Sequence, residues 1–302
     1  MLFNSSSTNE KPSPLFIKKL NSNNTNHLNL LTTFGEIKME LRIAGVEVKK
    51  VEDNPKRLNL LLWGQAGVGK TLFASTAPGK KLWLSFDPNG LDTLNFSPEK
   101  DNIQTVDLSK SNYAIVRQGC NENCFGIEAY LKDNLFDTVI FDSATTYLDL
   151  CLRLGIEGIR NATIELPSMA GYAKKNSYFK QTMINLIKLT NKYNKHLVII
   201  GHEDNGKMDD LGNIIEQGPM IGGSNGTSIA IMLSEIWYLG MFNGKRKVMF
   251  APYSVKKLMK SRMIDLDKCK QLEWNYTLEN GGHGLNTWYN QWINSPNKII
   301  PE

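Results

Sequence analysis

The sequence predicts an α/β fold: a mostly parallel sheet flanked by helices, with a C-terminal antiparallel hairpin extension. Three observations lead there. From Lys56 onward, short and nearly continuous apolar runs recur, as strands buried on both faces require. Helical patterns separate them, giving the strand–helix–strand alternation of a parallel sheet. After Gly223 the pattern changes to two strand-like runs flanking Asn243–Gly244, a strong hairpin signal.

In chain order, Leu58 to Trp63 reads as the first buried strand and Leu82 to Phe86 as the second. Ile103 to Val106 is a weaker third, and Thr138–Phe141 and Leu197–Ile200 follow. Between these last two, Phe179, Met183, Leu186 and Thr190 share one face of an amphipathic helix that crosses the sheet. Glu235–Met241 and Lys247–Ala251 are the hairpin strands. No internal repeat is visible.

The chain of 302 residues allows one large domain or two small ones. With 41% hydrophobic residues, collagen-like, disulfide-scaffold and wholly disordered classes are excluded. No apolar run approaches the ~20 residues of a membrane-spanning helix. The start, Met1 to Ser5, lacks the basic-then-apolar pattern of a secretory signal. The expectation is a cytoplasmic protein without a membrane partner. Four cysteines, Cys120, Cys124, Cys151 and Cys269, suit free thiols in a reducing compartment. Cys120 and Cys124 have the spacing of half a zinc site, but no second Cys/His pair lies at a matching distance.

Residues 1–38, rich in Asn and Ser, bury too little apolar surface to offset their ordering entropy, so a disordered arm is expected there. Residues 39–270 form the expected main domain. Residues 271–302 are read as a tail packed on the core through Trp274, Trp288 and Trp292, because large exposed tryptophans are uncommon.

The sharpest chemical signal is Gly64-Gln65-Ala66-Gly67-Val68-Gly69-Lys70-Thr71, which fits G-x-x-x-x-G-K-[ST] at every fixed position. It lies directly after a buried strand and before an expected helix. Its glycines let successive backbone N–H groups face phosphate oxygens. Lys70 is placed to reach the β- and γ-phosphates, and the Thr71 hydroxyl to ligate Mg²⁺. A hydroxyl alone does not hold that ion. Thr138 to Phe141, an apolar strand ending in Asp142, supplies the carboxylate, since ligands of open α/β sheets lie at the carboxyl ends of strands. The implied cofactors are a nucleoside triphosphate, taken as ATP, and Mg²⁺.

With these motifs the sequence resembles the RecA-like P-loop ATPases, in particular small phage-encoded proteins of single-strand annealing and recombination. The resemblance spans about Met39 to Asp267. It is carried by the Gly64–Thr71 loop and by Val139-Ile140-Phe141-Asp142-Ser143. Ile199-Ile200-Gly201-His202 follows, with its Gly-rich sequel Gly222-Gly223-Ser224-Asn225, and then the basic pair Lys260-Ser261-Arg262. It implies an NTP hydrolase acting on single-stranded DNA, assembled as a ring or filament of identical subunits, with recombination or replication proteins as further partners. It also implies that His202 senses the γ-phosphate, and that Lys260 and Arg262 reach the γ-phosphate held by an adjacent subunit. Glu203 to Thr227 is long for a structureless loop, and the resemblance makes it a DNA-contacting loop. Asp204, Asp209, Asp210 and Glu216 against the single Lys207 leave Gly218 to Thr227 as its better candidate part.

Two features depart from or extend that pattern. RecA-type proteins carry a water-orienting glutamate after the second strand. Here the region reads Ser85-Phe86-Asp87-Pro88, so the shorter Asp87 is the substitute, and a misplacement of ~1 Å can cost about 10²-fold in rate. Asp92 is the poorer second choice. Asn243 to Lys270 contains nine cations and two acids, which suits either a solvated face or a phosphate-backbone track with Phe250, Tyr253 or Trp274 as stacking surfaces. The rival readings are a nucleotide-gated switch or scaffold with little hydrolysis, and a helicase-type motor.

Overall fold

A computed structural model describes residues 42–44, 46–47, 50, 55–222, 225–252, 256–274 and 284–301. The expected arm at 1–38, and Gly223, Ser224 and Tyr253, lie outside them. The chain divides into two compact units, Met1–Pro55 and Lys56–Glu302. The boundary read from sequence near Met39 therefore falls inside the first unit. In that unit β1 (Arg42–Ile43) and β2 (Val46–Glu47) pair antiparallel across Ala44, whose φ is 51°.

The second unit begins where Lys56 Nζ donates to the carbonyls of Trp292 and Ser295, tying its first residue to its C-terminal helix. Its elements are β3 (Asn59–Gly64), α1 (Lys70–Ser75), β4 (Lys81–Ser85), β5 (Ile103–Asp107), α2 (Ile115–Gly119), α3 (Glu128–Lys132) and β6 (Thr138–Asp142). Then come α4 (Ala144–Ile156), α5 (Met169–Lys192), β7 (His196–His202), β8 (Lys207–Met208), β9 (Ile214–Gln217) and α6 (Asn225–Met232). The chain continues with β10 (Glu235–Phe242), β11 (Lys245–Met249), β12 (Lys256–Lys257), β13 (Gln271–Glu273) and α7 (Leu285–Ile293).

Eight strands form one sheet in the order β13-β11-β10-β3-β7-β6-β4-β5. From β10 to β5 every pairing is parallel, while β11 runs antiparallel to both β10 and β13. Because successive strand residues face opposite sides, each apolar run feeds two cores. Leu61, Trp63, Leu82, Leu84, Val139, Phe141, Leu197 and Ile199 face a core closed by α4 and α5 through Leu148, Cys151, Phe179, Met183 and Leu186. Leu60, Leu62, Trp83, Ile140, Val198 and Ile200 face the other, closed by Phe73 of α1 and by Leu285 and Trp288 of α7. This is the α/β class expected, with the antiparallel pair at the C-terminal side.

Ser143 caps α4 by accepting from the Thr146 amide at 3.2 Å, and Ser168 caps α5 by accepting from that of Gly171 at 3.1 Å. In α5 the face Phe179, Met183, Leu186 and Thr190 is buried. The segment after β7 is more ordered than its length suggested. The β8–β9 hairpin turns on Asp209, which accepts from the amides of Leu211 and Asn213, with Gly212 at φ 81°. With β12 this hairpin makes a second sheet of three strands.

Candidate phosphate and metal site

The carboxyl ends of β3, β4, β6 and β7 lie side by side and bring the separate motifs together. Gly64 stands opposite His202 across β3–β7, and Ser85 opposite Asp142 across β4–β6. Gly67 and Gly69 have φ of 75° and 94°, backbone that only glycine adopts without strain. At Gly64 a Cβ would stand 1.9 Å from the Leu239 carbonyl oxygen, so β10 requires glycine there for close approach.

Lys70 is buried, and its ammonium donates to the carbonyls of Gly64 at 2.9 Å and Gln65 at 2.5 Å. Burial lowers its pKa to about 8, against the opposing charges of Asp142, Glu203 and Asp87. Thr71 Oγ1 donates to Asp142 Oδ2 at 3.4 Å. Asp142 is 2% exposed, and burial together with the charge of Asp87 pushes its pKa up to about 7, opposed by Lys70 and Thr71.

A hydroxyl and a buried carboxylate facing each other fit Mg²⁺, which favours oxygen ligands and completes its octahedron with phosphate oxygens and waters. Among the described residues no group of three or more His, Cys, Asp or Glu could cage an ion. Thr71 and Asp142 are the side chains whose oxygens would face such an ion.

Asp87 sits beside this pair. Its Oδ1 accepts from Ser143 Oγ at 2.8 Å and from the Thr146 hydroxyl, and its Oδ2 lies 3.6 Å from His202 Nε2. Burial works to raise its pKa, but the hydrogen bonds from His202, Thr146 and Ser143 prevail and lower it. His202 is thus a neighbour of the water-positioning candidate, held from behind by its own amide donating to Thr145 Oγ1 at 3.0 Å.

Lys260 and Arg262 are placed differently from the loop residues. Lys260 Nζ donates to the carbonyls of Ala230 and Leu233 at 3.2 and 2.7 Å, at the C-terminal end of α6, where a cation suits the helix carbonyls. The Arg262 side chain is exposed, while its amide donates to buried Glu235 at 3.0 Å. Among the described residues neither bonds to the phosphate loop. Phe250 and Trp274 are 0% and 2% exposed and pack in the core around Phe73 and Trp237. Their role as stacking surfaces is corrected: each faces the apolar interior beneath β11 and β13.

Several residues of the site escaped sequence reasoning. Ser143 and Thr146 hold Asp87. Glu203, one residue past His202, accepts from Tyr238 Oη at 2.8 Å and lies close enough for its charge to oppose the lowering of the Lys70 pKa. Lys257 stacks over the Tyr238 ring at 3.9 Å. Arg246 Nε donates to the Val68 carbonyl at 3.1 Å. In the sequence, Ser143 stood out only as the serine after Asp142, and Arg246 and Lys257 only as members of the basic stretch.

A glycine-rich turn between a central parallel strand and a helix, with a strand-end carboxylate facing its threonine, defines a P-loop nucleoside triphosphatase core. The profile of the AAA domain family matches residues 56–269, and the chain belongs to that family. Family and fold together support nucleotide binding and hydrolysis. No curated protein matches the chain. No helix of the described residues is long and apolar enough to cross a membrane.

Proposed function

We propose that this chain is a Mg²⁺-dependent ATP hydrolase of RecA-like type that acts on single-stranded DNA in recombination or replication of a phage, in the host cytoplasm. The observation that carries the catalytic part is the approach of Thr71 Oγ1 to Asp142 Oδ2. Lys70 and the loop amides neutralise the triphosphate charge. Thr71 and Asp142 would hold Mg²⁺, which when bound would supply further charge neutralisation to the triphosphate. Asp87, fixed by Ser143, Thr146 and His202, accepts a hydrogen bond from the attacking water and orients it towards the γ-phosphorus. His202, between Asp87 and the loop, responds to the γ-phosphate and its loss.

The DNA and assembly parts rest on the resemblance and on chemistry. In a head-to-tail assembly, exposed Arg262 is the cation available to an adjacent subunit's γ-phosphate, while Lys260 anchors the loop that presents it. Steady-state phosphate release with and without single-stranded DNA, across a salt series, tests the reading. DNA-stimulated, salt-sensitive turnover that disappears in Lys70→Ala supports it. Strand separation driven by ATP points instead to a motor.

One observation favours a second reading, a nucleotide-gated switch with little hydrolysis. Asp87 is shorter than the glutamate of the resembling proteins, and both its oxygens already have protein partners. Tight nucleotide binding with negligible turnover under every condition selects the switch.

A further inference from the structure

The β10–β11 hairpin reverses at Asn243 and Gly244, both at positive φ, 52° and 76°. Two residues later it lays Arg246 against the phosphate loop. Arg246 Nε donates to the Val68 carbonyl at 3.1 Å. A Cβ built on Gly69 would stand 3.5 Å from that nitrogen, 3.8 Å from Arg246 Cδ and 3.6 Å from Trp274. The arginine is itself held in place. Its carbonyl accepts from the Trp274 amide at 2.9 Å, and Trp274 meets Phe73 of α1 edge-on at 5.0 Å. The adjacent Lys245 pairs with Glu273 of β13 at 2.9 Å.

In a planar trans peptide the carbonyl and the following N–H point to opposite sides. Holding the Val68 carbonyl on one side therefore fixes the Gly69 N–H on the other. Gly69 is a residue without a Cβ in left-handed backbone, so this peptide is one of the loop's easiest to rotate.

We propose that Arg246 is a positioning residue of the phosphate loop, whose Nε–H clamps the Val68–Gly69 peptide so that the Gly69 amide faces the nucleotide's phosphates. The inference rests on the nucleotide-site reading above. It extends that site to the antiparallel hairpin, which fixes the loop from the same chain.

Titration with a fluorescent ATP analogue tests it on the full chain, comparing wild type with Arg246→Ala, Arg246→Gln, Arg246→Lys and Lys70→Ala. The glutamine amide nitrogen stands as many bonds from Cα as arginine Nε, so Gln restores the donor without the charge. Arg246→Ala is expected to weaken binding about tenfold, close to 1.4 kcal/mol, with the urea midpoint little changed. Arg246→Gln is expected to recover most of that loss. Wild-type affinity in Arg246→Ala overturns the proposal, and so does recovery by lysine but not glutamine, which assigns Arg246 to direct charge on phosphate. Wild type binding no more tightly than Lys70→Ala removes the nucleotide site itself, and the clamp with it.

Discussion

Thr71 Oγ1 and Asp142 Oδ2 face each other at 3.4 Å, although they are separated by 71 residues of sequence. β7 lies between their two strands in the sheet, so the loop after β3 must lean across the end of β7 to bring the hydroxyl to the carboxylate. Asp142→Asn keeps the shape and removes the charge. It is expected to lower phosphate release more than 100-fold, on the order of 3 kcal/mol of barrier. It should also abolish the gain in nucleotide affinity that Mg²⁺ confers. Titrations with and without Mg²⁺ check this, and an undiminished magnesium effect in the variant excludes Asp142 as a ligand.

Asp87 gives a separable outcome. Asp87→Asn keeps a group to meet Ser143 and Thr146 but is a poorer acceptor for water. Loss of water orientation predicts a fall in kcat of about 10²-fold with nucleotide affinity within about twofold of wild type. Single-turnover hydrolysis beside equilibrium binding reads the two quantities apart. A parallel loss of affinity assigns Asp87 to ground-state binding instead.

The central sheet and the phosphate loop were legible because both are written locally. An apolar strand needs only its own residues, and the loop needs glycines at fixed spacing. The clamp on Asp87 was hidden because Ser143 and Thr146 reach a residue more than fifty positions away, just past the end of another strand. Lys260 looked like a free cation because its carbonyl partners at Ala230 and Leu233 belong to the end of a helix that sequence spacing does not place beside it. Trp274 read as a stacking candidate because it follows closely on the basic stretch that ends at Lys270, yet the pairing of β13 with β11 turns it inward. The β8–β9 turn, by contrast, was readable from Asp209 and Gly212, and the acidity of the segment drew attention away from its turn chemistry.

His196, at the start of β7, predicts how stability changes with acid. It is buried, and Nδ1 accepts from the Leu58 amide at 3.1 Å. Burial lowers its pKa from 6.5 to about 4, with Lys195 and Arg57 acting the same way against Asp137. Above pH 6.5 it is neutral in both folded and unfolded chains. As pH falls from 6.5 towards 4, the unfolded chain binds a proton that the folded chain refuses, so stability is lost across that window, by at most about 3 kcal/mol. In His196→Asn the side-chain amide oxygen can still accept from the Leu58 amide, but the group does not titrate. Urea midpoints at successive pH values should therefore fall less steeply in the variant, and parallel curves argue against the histidine.

Lys260 and Arg262 stand two residues apart with opposite expected effects. Lys260→Met removes the cation from the carbonyls that end α6, and should cost about 1 kcal/mol of stability. Glu235 still holds the loop through Ser261 Oγ and the amides of Arg262 and Met263. Arg262→Ala removes an exposed side chain and should leave the urea midpoint within about 0.5 kcal/mol of wild type. If Arg262 reaches a neighbouring subunit, however, turnover should drop by about 10³-fold. Mixing Arg262→Ala with Lys70→Ala then makes the test specific. Each variant supplies what the other lacks at a shared interface, so the mixture should regain part of the wild-type rate. Mixtures as inactive as their components, at concentrations where wild type is assembled, would show that the site is completed within a single chain.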